Sequence, residues 1–249
     1  MKNVITGNYS CKTDVGRVRI TNEDQALALT NPKGRVLLVV CDGMGGQSHG
    51  ELASRIAITT LANSFSESPI LVNQYFELAW LRKVIKAANK QIFNMSQSNK
   101  EYHGMGSTIT AVLVSSDHIV IGHVGDSRAY ILKDGEFEQL TEDQTYVAYL
   151  VRSGQLKPEE ALTHPKRHVL NNALGTYPSL SLDLSVHKYN GEQLLLCSDG
   201  LYNNVDISDI STIVKTDDSP QQKCDQLISL ANANGGSDNI AVVVWEANR

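Results

Sequence analysis

The sequence predicts a domain of the α/β or α+β class, in which β-sheets are covered by helices in two layers or more. Short runs rich in β-branched and apolar residues have the character of buried strands. Two long adjacent segments with helical periodicity lie between the first of these runs and the next. No linker or repeat interrupts the series, which favours a single domain over residues 1–249.

The first half of the chain is predicted from apolar periodicity. Residues 35–41 form an almost continuous apolar run and are expected to be a strand. Helices are expected at 51–63 and 74–95, where apolar residues recur with the helical period. A block of strands rich in β-branched residues then follows, at 107–115, 118–124 and 129–133.

The pattern becomes polar and irregular between residues 141 and 174, where Gly154, Pro158 and Pro165 interrupt it. Long irregular segments of this kind commonly cover functional sites. We therefore expect a mobile flap at about 145–165.

The last elements are two strands, at 193–197 and 240–245, and a helix at 220–233. Ser219 is a favourable N-cap for this helix, and Pro220 is a favourable first helical residue.

Composition and charge exclude several classes of function. The net charge is −5 and no basic run is present, which argues against a nucleic-acid partner. The longest strongly apolar stretch, 36–41, is too short to cross a bilayer, and residues 1–7 lack the apolar core of a signal peptide. We therefore expect a soluble cytoplasmic protein without a membrane partner.

The four cysteines form no CxxC pair, so a zinc ribbon is not expected. Cys41 and Cys197 both end apolar runs, and we interpret them as small buried residues in strands. A catalytic thiol is the weaker alternative.

Aspartates occur where predicted strands begin or end. Asp42, Asp126 and Asp199 each follow a strand, Asp238 precedes the last strand, and Asp24 precedes another apolar run. A single Asp-Gly after a strand is usually only a turn. Four carboxylates beside predicted strands, with Asp24 as a further one, suggest instead that carboxylates converge at one end of a sheet.

Carboxylates that lie close together repel each other unless cations separate them. Oxygen ligands suit hard divalent ions such as Mg²⁺ or Mn²⁺, and the scarcity of histidine near these aspartates argues against zinc. Two such cations suit hydrolysis at a phosphate. Arg19 is the candidate for binding that phosphate, and an ordinary surface arginine is the alternative.

The ordered set of short motifs is more specific than any one of them. It includes Gly-Asp-Ser-Arg at 125–128, Ser-Asp-Gly at 198–200 and Gly-Ser-Asp-Asn at 236–239. The other segments are 14–24, 42–46, 50–54, 106–108, 140–143, 164–165 and 173–175. Taken together, these motifs resemble the protein phosphatase 2C family of metal-dependent serine/threonine phosphatases, particularly its compact bacterial members.

The resemblance implies an α+β fold, a four-layer α-β-β-α sandwich with two central antiparallel sheets. It also implies roles for the acidic residues. Asp42 would bridge two metal ions, with the Gly43 carbonyl as a further ligand, and Asp199 and Asp238 would hold one of those ions. Other implied roles are direct or water-mediated metal contacts for Glu23 and Asp24, a third metal ion held by Asp126 with Asp199, and phosphate binding by Arg19.

The implied reaction is hydrolysis of phosphoserine and phosphothreonine in proteins by a metal-activated water, without a phosphoenzyme intermediate. Asp42, Asp199 and Asp238 would be its catalytic residues, with two core Mn²⁺ or Mg²⁺ ions and a third ion as cofactors. The implied partners are phosphorylated proteins, including a serine/threonine kinase and its targets, and the implied enzyme is a monomer.

The sequence departs from the family pattern at several places. Gln47 stands where relatives often have histidine, with His49 two residues on. Gln144 and the pair Asn171 and Asn172 also replace usual family residues. None of these is a proposed metal ligand, and the proton donor stays unassigned between a metal-bound water and His49.

Two other functions remain open at this point. One is a catalytically silent relative that acts as a binding module, and the other is a metal-dependent hydrolase of small phosphoesters.

Overall fold

The computed structural model describes residues 5–45, 49–68 and 73–248. Its strands are β1 (Gly7–Asp14), β2 (Asp24–Thr30), β3 (Val36–Met44), β4 (Gly106–Ser107), β5 (Ile109–Val114), β6 (His118–Val124), β7 (Arg128–Lys133), β8 (Glu136–Gln139), β9 (Asp183–Lys188), β10 (Gln193–Cys197) and β11 (Ile240–Ala247). Its helices are α1 (His49–Ser66), α2 (Gln74–Ser98), α3 (Tyr146–Arg152), α4 (Pro158–Ala161), α5 (Asp199–Tyr202), α6 (Ile207–Val214) and α7 (Pro220–Ala233).

The strands form two antiparallel sheets. The first sheet has the spatial order β1-β11-β10-β7-β8. The second has the order β2-β3-β5-β6-β9, and the short strand β4 pairs with the end of β3. The turn between β6 and β7 carries the chain from the second sheet to the first.

Three apolar layers hold the sheets and helices together. Alternate residues of β3 serve two of them, because successive side chains in a strand point to opposite faces. Leu38 packs between the sheets with Leu196 and Trp245 of the first sheet, whereas Leu37 packs against α1 and α2. The third layer joins the first sheet to the helices α5–α7. This order of layers and the solved structures described below confirm the predicted α-β-β-α sandwich.

The long helices agree with their predicted positions and are somewhat longer. The structure confirms α7 over its predicted length, with Ser219 capping the amide of Gln222. At the start of α2 the Asn73 side chain accepts hydrogen bonds from two amides of the first turn. No helix in the described ranges is long and apolar enough to cross a membrane.

Strands outside the predicted set lie mainly at the edges of the sheets. These are β1 and β8 of the first sheet and β2 and β9 of the second. Each is only partly buried, so its sequence lacks the continuous apolar run that marked the inner strands. The predicted strand 107–115 is divided into β4 and β5 at Thr108, whose amide donates to the Asp42 carbonyl (2.8 Å).

Candidate metal centre

The carboxylates of Asp24 and Asp42 belong to directly opposed residues on adjacent strands. Asp24 begins β2, and it pairs with Asp42 near the end of β3. Opposed side chains of an antiparallel pair lie on one face, with their Cβ atoms about 4.5–5.5 Å apart. Asp24 is 1% exposed, and its Oδ2 atom has no hydrogen-bond partner in the described structure. A buried, orphaned carboxylate oxygen beside a second carboxylate suits a cation.

Carboxylates from both sheets meet in one cavity of about 270 Å³ at this end of the sandwich. Asp42 comes from β3 of the second sheet, and Asp199 begins α5 directly after β10 of the first sheet. Asp126 lies in the turn that joins the sheets, and Asp238 lies just before β11. Glu23 lines the same cavity. The fold thus brings together acidic residues that are far apart in the sequence, as predicted from their positions at strand ends.

Burial of these groups away from water disfavours their charged forms. It raises the pKa of Asp24 to about 8 and that of Asp199 to about 6. It also raises the pKa of Asp42 and Asp126 well above the ordinary value, and repulsion from neighbouring carboxylates adds to the effect at both.

The set of donors is chemically suited to hard divalent cations, because it offers several carboxylates and few nitrogen or sulfur atoms. No three His, Cys, Asp or Glu side chains of the described ranges are arranged as a closed ligand set around one point. The carboxylates therefore share a cavity rather than a finished coordination shell.

The segment 106–108 supports the backbone on both sides of the cavity. The Asp42 amide donates to Thr108 Oγ1 (2.9 Å), and the Ser107 hydroxyl donates to the Asp42 carbonyl (3.1 Å). Thr108 Oγ1 also hydrogen-bonds to Ser127 Oγ (2.8 Å), in the residue after Asp126. This motif therefore connects two of the predicted metal ligands, although it contributes no carboxylate itself.

Gly43 of β3 and Gly50 of α1 allow a close approach of their backbones. A Cβ atom on Gly43 would lie 2.2 Å from the Gly50 carbonyl oxygen and 2.6 Å from that of Glu23. Only glycine fits there, which keeps the Gly43 backbone against Glu23 and the first turn of α1.

Arg19 lies at the mouth of the cavity. One of its terminal nitrogens donates to Asp238 Oδ2 (2.8 Å), and about half of its side chain is exposed. Arg19 also lines a larger cleft of about 1070 Å³ that adjoins the carboxylates. This position allows its guanidinium to reach a phosphate that enters from solvent.

The predicted flap forms one wall of the larger cleft. It contains α3, capped at its N-terminus by the Thr145 hydroxyl, and the short helix α4. Residues from both helices, such as Val147, Val151 and Ala161, line the cleft opposite Asp199. The segment therefore lies beside the carboxylates.

The chain matches a known protein family over most of its length. The family model described as "Protein phosphatase 2C" matches residues 16–241. This chain belongs to the protein phosphatase 2C family. Membership confirms the predicted family and the predicted enzyme class, a protein serine/threonine phosphatase.

Relatives of the phosphatase match along almost its whole length. It is 38% identical to the serine/threonine phosphatase stp of Listeria welshimeri over 238 residues, which cover 95% of this chain and 94% of the relative. The crystal structure of the serine/threonine phosphatase Stp1 from Staphylococcus aureus superposes with a TM-score of 0.93 at 37% identity, covering 100% of this chain and 98% of that one.

A third similar structure contains metal. It is the catalytic domain of the serine threonine protein phosphatase PstP in complex with 2 manganese ions. It matches with a TM-score of 0.86 at 34% identity, covering 98% of this chain and 99% of that one.

Two departures of this phosphatase from the family pattern are joined by a hydrogen bond. The side-chain amide of Asn172 donates to Gln144 Oε1 (2.7 Å). The same oxygen also accepts from the backbone amide of Gly125 (3.0 Å), the residue before Asp126. The Gln144 side chain in turn donates to Asp183 (2.7 Å). The two changes thus form one local cluster. Gln47 lies outside the described residues.

Two residues beside the carboxylates, His168 and Arg128, were given no role in the prediction from the sequence. His168 lines both cavities, and its Nδ1 atom lies 3.9 Å from Asp199 Oδ2. Arg128 makes a bidentate ion pair with Asp143 and lies over the ring of Tyr202, 3.6 Å from its centroid. The motif Gly-Asp-Ser-Arg contained Arg128, but its partner could be found only from the fold.

The histidine and cysteine predictions have mixed outcomes. His49, one of the two candidate proton donors, begins α1, where its ring makes an edge contact with Tyr102. Cys41 and Cys197 are fully buried within strands, as predicted. Burial raises the pKa of the Cys197 thiol to about 12, which keeps this cysteine protonated and unreactive.

Proposed function

We propose that this phosphatase hydrolyses phosphoserine and phosphothreonine in proteins with two divalent cations, Mn²⁺ or Mg²⁺, held by its strand-end carboxylates. The observation that carries the proposal is the convergence of Asp42, Asp126, Asp199 and Asp238 in one cavity with Arg19 at its mouth. The binding of 2 manganese ions by the similar PstP domain supports it.

The proposed ligand roles are those that the family resemblance implies, and the residues concerned line the cavity. Asp42 would bridge the two ions, with the Gly43 carbonyl as a further ligand. Asp199 and Asp238 would hold one of the two ions. Glu23, which lines the cavity, and Asp24, which is buried beside Asp42 and is not part of the cavity lining, would contact the pair directly or through water.

Bound cations of this kind bind phosphate oxygens and lower the pKa of a water molecule. The protein's own contribution is to hold the substrate against them. Arg19 keeps one hydrogen bond to Asp238 and has other N–H groups available for phosphate oxygens. A guanidinium can present paired N–H groups to a phosphate, so Arg19 would help to orient the substrate.

Direct attack by water, without a phosphoenzyme, is the proposed route. The described lining of the smaller cavity includes no serine, threonine or cysteine, and its aspartates are assigned to the cations. Both candidate thiols, Cys41 and Cys197, are buried in strands.

We assign a third and weaker cation to Asp126 together with Asp199. The two side chains line both the smaller cavity and the larger cleft, and repulsion from Asp199 adds to the raised pKa of Asp126. A cation between them would relieve this repulsion.

Residues 1–249 are proposed to act as one catalytic domain, with residues 145–165 as a flap that affects substrate access. The large cleft between the flap and the carboxylates favours a phosphorylated protein over a small phosphoester. The proposed partners are therefore phosphorylated proteins, including a serine/threonine kinase and its targets, and the enzyme is proposed to be a monomer. The net charge of −5 supports the absence of a nucleic-acid partner.

A phosphothreonine peptide and p-nitrophenyl phosphate, each assayed over a titration of Mn²⁺ or Mg²⁺, test this function. We expect metal-dependent release of phosphate, with a higher kcat/KM for the peptide, and loss of both activities in Asp199→Ala. Full activity in excess chelator would overturn the metal assignment. Equal or better use of the small ester would favour the small-phosphoester hydrolase, and the absence of any turnover would favour the silent binding module.

A further inference from the structure

The exposed face of α2 carries a row of four cations. Arg82, Lys83, Lys86 and Lys90 are all exposed, and none makes an ion pair or a side-chain hydrogen bond within the described residues. The acidic residue of this helix, Glu77, is buried and paired elsewhere. The row is therefore a locally positive surface on a chain whose net charge is −5.

Helix stability does not explain this row. Residues four apart face each other on a helix, and like charges at that spacing are destabilising. Arg82, Lys86 and Lys90 follow one another at this spacing. The positive charges therefore cost the isolated helix some stability and gain nothing from their helical neighbours.

A cavity of about 360 Å³ opens beside the row. Lys86 and Lys90 line it together with apolar surface from Phe93, Pro178 and Leu180. Residues 178–180 form the opposite wall, and the surrounding segment 171–182 contains no charged residue that could neutralise the lysines.

The cavity has a fixed shape, because Asn89 joins its two walls. This side chain is 2% exposed. Its amide nitrogen donates to the Tyr177 carbonyl (3.1 Å), and its oxygen accepts from the Gly175 amide (2.8 Å). A buried side chain with both ends satisfied holds the wall against α2 before any ligand arrives.

We propose that this face of α2, with the adjoining cavity, is a docking site for an acidic peptide segment of a partner protein. Acidic side chains of the segment pair with the row from Arg82 to Lys90, and one apolar side chain enters the cavity between Phe93, Pro178 and Leu180. The proposal concerns a surface of the helical layer, separate from the carboxylate cavity, and it does not depend on the phosphatase activity.

The length of the row favours a peptide over a small anion. A helix rises about 1.5 Å per residue, so the row extends over about 12 Å. An extended chain covers this distance with about four residues. A single phosphate is much shorter than this row, whereas a short acidic segment extends along all four cations.

Binding is tested with a fluorescein-labelled peptide, Asp-Glu-Leu-Glu-Asp, by anisotropy at low ionic strength. Two matched probes replace the leucine by glycine or the acidic residues by lysine. We expect the acidic leucine peptide to bind most tightly and to weaken as salt is added, because exposed charge pairs are screened. The glycine probe reports the contribution of the cavity.

The decisive variant is the double charge reversal Lys86→Glu with Lys90→Glu. It should weaken peptide binding by about tenfold, since it removes two exposed attractions and adds two repulsions of modest size. The double reversal Lys133→Glu with Lys215→Glu, at exposed lysines at the ends of β7 and α6, changes the net charge equally. It is the matched control and should leave binding within about twofold. The double variant should unfold at the temperature of the wild type or slightly above it, because neither lysine is paired in the fold and the repulsion between Arg82 and Lys86 is removed.

Equal binding of the peptide to the wild type and the double variant would overturn the proposal, as would no binding by the wild type. The proposal would also be overturned if inorganic phosphate abolished binding and the leucine and glycine probes bound equally well. That result would indicate a simple anion site. Because the readout is binding, a failure here is distinct from a failure of the proposed phosphatase reaction.

Discussion

A buried carboxylate lies at each end of the second sheet, and the two carboxylates differ in their hydrogen-bond partners. At one end Glu77, which is 1% exposed, accepts from Arg35 (2.8 Å), Ser115 (2.9 Å) and His118 (2.6 Å). At the other end Asp24 is equally buried, but one of its oxygens has no partner and its cross-strand neighbour, Asp42, is another acid. The chain compensates the first carboxylate itself, whereas one oxygen of the second receives no donor from the described residues and is available to a cation.

This comparison separates stability from function. A carboxylate with a complete set of donors contributes to the fold and has no capacity for a ligand. A carboxylate that lacks donors costs stability in the metal-free protein and is available to a cation. Changes at the two ends should therefore have different effects on unfolding and on turnover.

The largest effect on turnover is expected from Asp42→Asn. Loss of the proposed bridging ligand should lower kcat by more than about 100-fold, because even outer-shell partners of metal ligands contribute 10–100-fold. The metal-free variant should be as stable as the wild type or more stable, since one of two opposed acids becomes neutral. Steady-state kinetics with a phosphothreonine peptide and thermal unfolding in chelator measure the two effects.

Asp217→Asn, at an exposed aspartate, is the control for the loss of one negative charge. A variant Asp42→Asn with near-normal turnover would show that the bridging assignment is wrong.

The largest effect on stability is expected from Glu77→Gln. The change keeps the shape of the side chain but deprives Arg35 and His118 of a buried charge. Unfolding should require about 3 kcal/mol less free energy, at the lower end of the range for a broken buried pair because Arg35 is partly exposed. Urea denaturation measures this, with the exposed Glu67→Gln as control.

Turnover of Glu77→Gln at low temperature should stay close to that of the wild type. A large loss of kcat in folded protein would mean that the two ends of the sheet are not independent.

A smaller effect is expected on stability, which should depend on pH in the metal-free protein and less so when a cation is bound. Burial raises the pKa of Asp24 to about 8, so the folded metal-free protein holds a proton that the unfolded chain releases near its ordinary pKa of 3.8. Its stability should therefore fall as pH rises from about 4 to 8. A bound cation favours the ionised form and removes this loss.

The increase in Tm that Mg²⁺ gives over chelator should thus be greater at pH 8 than at pH 6. Thermal unfolding at both values, with and without Mg²⁺, measures the difference. An increase that does not change with pH would show that Asp24 is ionised without metal.

The sequence allowed prediction of the elements whose signal is local. The inner strands are continuous apolar runs, and α7 has its own capping residues, so both could be placed from the sequence. The edge strands β1, β2, β8 and β9 are partly solvated and have no comparable pattern. Their positions depend on pairing with a neighbour, which is a property of the whole sheet.

Some features of the candidate site could likewise be predicted from the sequence, and others could not. Asp42, Asp126, Asp199 and Asp238 could be selected because each lies at the end of a strand. The pairing of Asp24 with Asp42 and the hydrogen bond between Gln144 and Asn172 could not, because they join residues from separate strands or loops. Register and loop contacts arise only when the fold is complete.

The smallest effect is expected from loss of a hydrogen bond to the backbone of Asp126, at the acidic end of the sheets, where the carboxylates meet. The Tyr202 hydroxyl donates to the main-chain carbonyl of Asp126 (3.1 Å), while the guanidinium of Arg128 lies over the Tyr202 ring. Tyr202→Phe removes the hydrogen bond and keeps the ring. A neutral hydrogen bond contributes about 1 kcal/mol, so affinity for the ion proposed at Asp126 should fall by about fivefold. Tyr75→Phe, at an exposed tyrosine, is the control.

Titration of turnover with Mn²⁺ distinguishes this backbone effect from damage to the two-metal centre. The half-saturating concentration of the weaker phase should rise in Tyr202→Phe, while kcat at saturating metal and the tighter phase stay unchanged. A change in the tighter phase would mean that Tyr202 supports Asp199 rather than Asp126. No change in either phase would mean that Asp126 is fixed by other contacts, such as the hydrogen bonds of neighbouring Ser127 with Thr108 and Thr110. The acidic end would then be built like the opposite end in its backbone, and would differ from it only in leaving carboxylate oxygens free for cations.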